Sequence, residues 1–331
     1  MYRRENIGKE TYKVGYLCLI GAVALGAMKG AFGKKVSFQV KNTLDSLFFN
    51  FIRMVLCVVC GAIMVILDGA SGFKADGLTI GLAVLNGVMQ AVFVCVWIMA
   101  VRQVSYVMLD VFALLSAIIP TVGCRIMFST KITFFDLAGF AVLLFAELLL
   151  ASYNAKLKGS FTLKTAALLV LNFLAQGVMD FCMQIFKRSD ATGTNAAFNF
   201  YTFIITTVCL AVIYVVLTLF GERGEDKKRL ISFGEQISGE AKGLKKVFVF
   251  IALMAVCLFF NSYLTTIASG MLSPSVLSPL KSGLALILST VIAWCYKEKP
   301  SVKSVVGTVI AFSGLIVMNA PLIFGISAIG F

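Results

Sequence analysis

Ten apolar runs, each about 20 residues long, fill most of the chain and dictate what it can fold into. They fall at about 14–33, 45–67, 78–101, 104–128, 133–152, 164–186, 195–220, 246–270, 274–295 and 304–323. A helix of about 20 apolar residues crosses a ~30 Å hydrocarbon core. Within lipid each backbone N–H and C=O needs a partner inside its own segment, and for runs of this length only the helix provides one. The expected fold is an all-α integral membrane protein with ten transmembrane helices. Of the 331 residues 14% are charged, against roughly a quarter in a soluble domain. No separate soluble domain is expected. The first run follows Arg3, Arg4, Lys9 and Lys13, as in a leader peptide. Its one Ala-x-Ala, Ala22 to Ala24, lies mid-run, so the run is read as the first span.

The chemistry open to such a bundle is narrow. The chain has no histidine, which removes His-ligated haem, the usual zinc sites and imidazole acid–base catalysis. All nine cysteines lie in apolar runs, and Cys57-Val-Val-Cys60, despite its redox-like spacing, reads as two small apolar side chains on a helix. No metal, no cofactor and no enzymatic activity are expected. The net charge of +13 is explained by Lys and Arg at membrane edges, so no nucleic-acid partner is invoked. The partners implied are the lipid bilayer and a small-molecule solute, and a homodimer is compatible with the pattern.

Punctuation divides the chain into halves, 1–155 and 156–331. Lys131, Thr133 and Gly139 return 168 positions later as Lys299, Ser301 and Gly307, each set at the last corner of its half. Gly26-Ala-Met-Lys29 aligns with Gly177-Val-Met-Asp180, and the same offset of 151 carries Phe49 onto Phe200. The growth of the offset is absorbed by a charged stretch at 221–246. There Leu230, Phe233, Ile237, Ala241 and Leu244 form one helical face, while Gly234, Gly239 and Gly243 favour a linker; both readings stay open. Five spans per half make the two halves face opposite ways across the bilayer, with a site expected at their interface. An even span count puts both termini on one side. The loops after odd-numbered spans hold 17 Lys and Arg against eight elsewhere, which by the positive-inside rule places the termini outside.

Charges at membrane depth are costly, about 2.5–3.5 kcal/mol each on insertion scales, and are candidates for function. Lys29, Arg53, Asp110, Arg125, Glu147, Asp180 and Lys281 qualify; Arg125, near its helix end, is expected to reach the interface. The sixth span carries Asn172, Gln176, Asp180 and Gln184 at intervals of four, a polar stripe along one face. The stripe lines a cavity or glues helices together. Asn86, Gln90 and Trp97 on the third span, and Asn261, Tyr263 and Thr265 on the eighth, are further candidates for a cavity wall, with core packing as the alternative. Lys29 and Asp110 lie toward one membrane face, Asp180 and Lys281 toward the other, and the repeat relates the two pairs with their signs exchanged. Lys29–Asp110 and Asp180–Lys281 are therefore expected as two gate-like ion pairs flanking a central site. Arg53 and Glu147 form a candidate structural pair. Asp180, and after it Glu147, is the candidate carboxylate for proton coupling. Gly26-x-x-x-Gly30 is expected to let the first span approach a neighbour, and Pro274 and Pro279 to free carbonyls in the ninth.

The last two spans carry Lys281-Ser-Gly283, Trp294, Tyr296-Lys-Glu298-Lys299-Pro-Ser301, Gly307 and Gly314. This stretch resembles the drug/metabolite transporter superfamily, in particular its ten-span EamA-type members, and Arg53 matches an arginine often found in their second span. Lys297 stands where the family's turn glycine usually falls, and the first half, with Thr130-Lys131, lacks the glutamate. The resemblance implies a 5+5 inverted repeat, a cavity lined by spans 1, 3, 4, 6, 8 and 9, and cytoplasmic termini, in disagreement with the charge count. Members move amino acids, nucleosides, sugar phosphates, drugs or lipids. The expected function is secondary active transport of a small polar or amphipathic metabolite, by export or exchange, from a multi-pass position in the plasma or inner membrane. A lipid or lipid-linked sugar flippase is the alternative; a membrane-embedded transferase and a non-transporting scaffold are remote ones.

Overall fold

The computed structural model describes residues 9–37, 43–69, 72–100, 115–129, 132–154, 163–220 and 241–295, with helical turns within 306–320. The described residues are helical and include no strand. Nine helices follow one another among them: α1 (Lys9–Ser37), α2 (Thr43–Leu67), α3 (Gly77–Ala100), α4 (Ile118–Phe128), α5 (Phe134–Asn154), α6 (Leu163–Arg188), α7 (Asn195–Phe220), α8 (Ala241–Met271) and α9 (Pro274–Cys295). Six of them, α1, α2, α3, α6, α7 and α8, are long and apolar enough to cross a bilayer. The chain is thus an all-α membrane protein. The junctions Thr130-Lys131 and Tyr296–Ser301 lie outside the described residues, as do Asp110 and 221–240. α8 begins at Ala241, so the end of the charged stretch at 241–246 is helical.

Local chemistry sets several helix ends. Thr133 precedes α5; its hydroxyl accepts from Asp136 N, and Asp136 Oδ2 accepts from Thr133 N at 2.9 Å, a reciprocal cap of two orphan amides. Ser129 closes α4 with φ of +50° and its N–H on the Arg125 carbonyl. Pro274 starts α9, where its missing N–H costs nothing, while Pro279 lies inside that helix.

The apolar side chains divide between core and lipid-facing surface. Phe198, Phe203, Phe259, Met54 and Leu210 are fully buried between helices, whereas Leu17, Ile66, Ile126 and Leu219 point outward. In water such a surface would aggregate; against acyl chains it is matched. Antiparallel α1 and α8 pack along their lengths, from Gly15 against Leu272 to Gly33 against Met254. α3 packs on α6 in the same sense, Leu82 and Ala83 near Phe186 at one end and Val96 near Leu168 at the other. α2 and α7 cross at Gly61, where an added Cβ would sit 3.2 Å from Phe200 Cα. Further contacts join α3 to α7, α2 to α8, α1 to α9, α4 to α6 and α4 to α9. Gly26 meets Asn261, but Gly30 has nothing within 4 Å of an added Cβ. Of the expected Gly26–Gly30 pair only Gly26 makes a close approach among the described residues, while Gly15, Gly21 and Gly33 make others on α8.

Candidate functional site

The α6 stripe points into the bundle. Asn172, Asp180 and Gln184 are buried and Gln176 is half-buried. Lys281 Nζ of α9 donates to Asp180 Oδ1 at 2.7 Å, with Asp180 4% and Lys281 21% exposed. An ammonium with a short charge-assisted bond answers the cost of placing a carboxylate there.

Below this pair, toward the C-terminal end of α6, a second set of bonds ties neighbouring helices together. Arg188 Nε donates to Gln184 Oε1 at 3.0 Å, and its Nη2 to the Leu272 carbonyl at 2.8 Å, in the bend between α8 and α9. Lys187 Nζ donates to Asn195 Oδ1 at 2.9 Å, and Ser269 Oγ reaches the Met183 carbonyl at 3.3 Å. Ser275 at the start of α9 donates to Asp136 Oδ2 of α5 at 3.0 Å. These bonds form a polar latch that joins α5, α6, α7, α8 and α9 at one end of the bundle. The latch residues other than Asp180, Gln184 and Lys281 are not singled out by the sequence. Thr133-x-x-Asp136 before an apolar run was the available cue for Asp136; nothing in the sequence aims Arg188 at the Leu272 carbonyl.

Several predicted cavity residues lie in helix seams. Asn86 Nδ2 donates to Thr202 Oγ1 of α7 at 3.3 Å. Thr206 Oγ1 has Gln90 Oε1, the Gly87 carbonyl and the Thr202 carbonyl all within 3.2 Å, with one proton to give. These bonds are interhelical glue between α3 and α7. Asn261 Nδ2 donates to the Ala22 carbonyl, joining α8 to α1. Tyr263 stacks on Phe259 with centroids 6.1 Å apart, and Trp97 packs at the edge of the apolar core. Thr265 bonds its own helix at the Asn261 carbonyl. Buried acceptors left over are Asn86 Oδ1 and Asn172 Oδ1, which have no hydrogen-bond partner among the described residues.

The remaining charges sort by place. Lys29 on α1 and Arg53 on α2 are half-buried. Arg125 is exposed near the end of α4. Asp110 and the Glu147 side chain lie outside the described residues, and with them the Lys29–Asp110 and Arg53–Glu147 pairs. Cys57 and Cys60 are free thiols on α2, and Cys57 Sγ reaches the Ala255 carbonyl at 3.4 Å.

No family model matches the chain, and no curated protein matches it. A solved structure described only as the crystal structure of a protein superposes with a TM-score of 0.71 at 12% identity, covering 96% of this chain and 99% of that one. At that identity the likeness is one of fold alone.

Proposed function

We propose that the protein is a secondary active transporter of a small polar or amphipathic metabolite, resembling the ten-span drug/metabolite transporters. The observation that carries this reading is the Asp180–Lys281 ion pair, a closure between α6 and α9 at membrane depth. Alternating access needs two such closures that do not hold together.

The helix packing supports a 5+5 inverted repeat under this reading. If α1–α5 correspond to α6–α10, where α10 is the span at 304–323, exchanging the halves turns α1·α8 into α6·α3, α3·α7 into α8·α2, and α1·α9 into α6·α4. Each of these exchanged pairs is in contact, while α2·α7 and α4·α9 map onto themselves. Two contacts lack a counterpart among the described residues. α8 touches α9, while α3 on α4 is at most marginal. α6 packs on α8, but its counterpart, α1 on α3, is at most marginal among the described residues. The asymmetry fits a transporter closed at the Asp180 end and open at the Lys29 end.

Flux in proteoliposomes tests the reading. Metabolite pools loaded inside vesicles should exchange with labelled external pools, and Asp180→Lys should abolish exchange while Asp180→Lys with Lys281→Asp restores part of it. Vesicles that exchange no metabolite class but scramble labelled lipid would move the assignment to a flippase.

A further inference from the structure

Lys29 on α1 and Arg53 on α2 are half-buried cations without a counter-ion among the described residues. α8 is the common wall. Gly33 and Gly26 of α1 lie against Met254 and Asn261, which brings Lys29, between them, to the level of 254–261 on α8. On α2, Ile52 and Leu56 pack around Ile251, and Cys57 bonds the Ala255 carbonyl, so Arg53 stands on the other flank of α8 near the level of Ile251, one to two helical turns from that of Lys29. The Lys29 ammonium is within electrostatic range of both the Arg53 guanidinium and the Lys281 ammonium. Of the three, only Lys281 has a described counter-ion, Asp180. Arg53 Nε is buried with no hydrogen-bond partner among the described residues.

Like charges that sense one another across a partly desolvated space repel. A bound anion relieves that repulsion, and a guanidinium offers planar donors matched to carboxylate or phosphate oxygens. We propose that the solute is a water-soluble organic anion whose carboxylate or phosphate group binds between Lys29 and Arg53, within reach of Lys281. The anion site stands on this geometry; that the anion is cargo rests on the transporter reading above. An anion here competes with Asp180 for Lys281. The solute then binds more tightly where that pair is broken, the differential affinity a ligand needs to shift a gate.

The test uses full-length protein in detergent, with inorganic phosphate and succinate as probes, and chloride at matched ionic strength and neutral succinamide as controls. The site predicts a saturable rise in Tm with phosphate or succinate, absent in Lys29→Gln and Arg53→Gln and retained in Lys74→Gln. A rise that survives in both Gln variants, or no rise beyond chloride, overturns the proposal. A rise with phosphatidic acid but neither soluble probe assigns the site to a lipid headgroup and overturns it as a solute site. A second measurement needs no variant: phosphate or succinate should slow phenylglyoxal modification of Arg53, read by mass spectrometry, and an unchanged rate also overturns the site. Saturable binding lost in the Gln variants, together with no flux of any anion in proteoliposomes, keeps the site and removes the transporter reading.

Discussion

Asp180 Oδ1 of α6 lies 2.7 Å from Lys281 Nζ of α9, a carboxylate 4% exposed joined to an ammonium 21% exposed. Removing one member leaves the other charge buried without compensation, which costs about 3 kcal/mol. Asp180→Asn and Lys281→Met should each lower thermal stability in detergent. The double variant should lose less than the two single losses added together, because it strands no charge. Additive losses across that cycle would show that the pair is not coupled.

Gly87 and Gly30 separate packing from helix propensity. An added Cβ at Gly87 would lie 2.6 Å from the Thr202 carbonyl oxygen and 2.7 Å from Ile205 Cβ, while Gly30 has nothing within 4 Å among the described residues. A backbone oxygen cannot step aside, so Gly87→Ala forces α3 and α7 apart, at about 1–3 kcal/mol. Gly30→Ala should be neutral or stabilising by about 0.5–1 kcal/mol. Thermal unfolding of the two variants checks the contrast, and a Gly87→Ala protein as stable as the parent would refute the close crossing.

The two glycines also show how far the sequence could be read. Six span positions were legible because a helix that crosses lipid demands a run of about 20 apolar residues. The Asp180–Lys281 proximity was within reach because costly intramembrane charges have few ways to be tolerated. Gly26 and Gly30 carry the same signal, yet only Gly26 meets a neighbour, because helix rotation depends on the other helices. Asn86 and Gln90 failed to resolve for a related reason. An amide in an apolar run satisfies itself equally on a solute or on a threonine of the next helix, and only packing put Thr202 and Thr206 within reach.

Asp76 gives a pH dependence outside the spanning segments. The Thr79 hydroxyl, then the Thr192 and Thr79 amides, donate to it and hold its carboxyl below the ordinary aspartate value. A carboxyl depressed on folding binds fewer protons folded than unfolded, so its contribution is present above the unfolded pKa and fades as pH falls through the lower folded one. Asp76→Asn should therefore be less stable than the parent near neutrality and converge with it in acid. Tm against pH for both proteins checks this, and a constant difference across the acid range would exclude the linkage.

The two ends of the bundle should answer each other. In a cysteine-free background, Lys29→Cys should react with a charged thiol reagent from the α1–α2 side, while Asp180→Cys should be protected. Arg188→Ala removes the bonds to Gln184 and the Leu272 carbonyl, each worth about 1.5–3 kcal/mol as charge-assisted bonds. It loosens only the α6–α8–α9 end and leaves Lys29 and Arg53 untouched. Under alternating access this shifts the population toward the opposite opening, so labelling at position 180 should rise while labelling at position 29 falls. The readout is the rate of labelling at each position, with and without Arg188→Ala. A rise at 180 with no fall at 29 would mean local fraying of one end, and the two closures would then be independent.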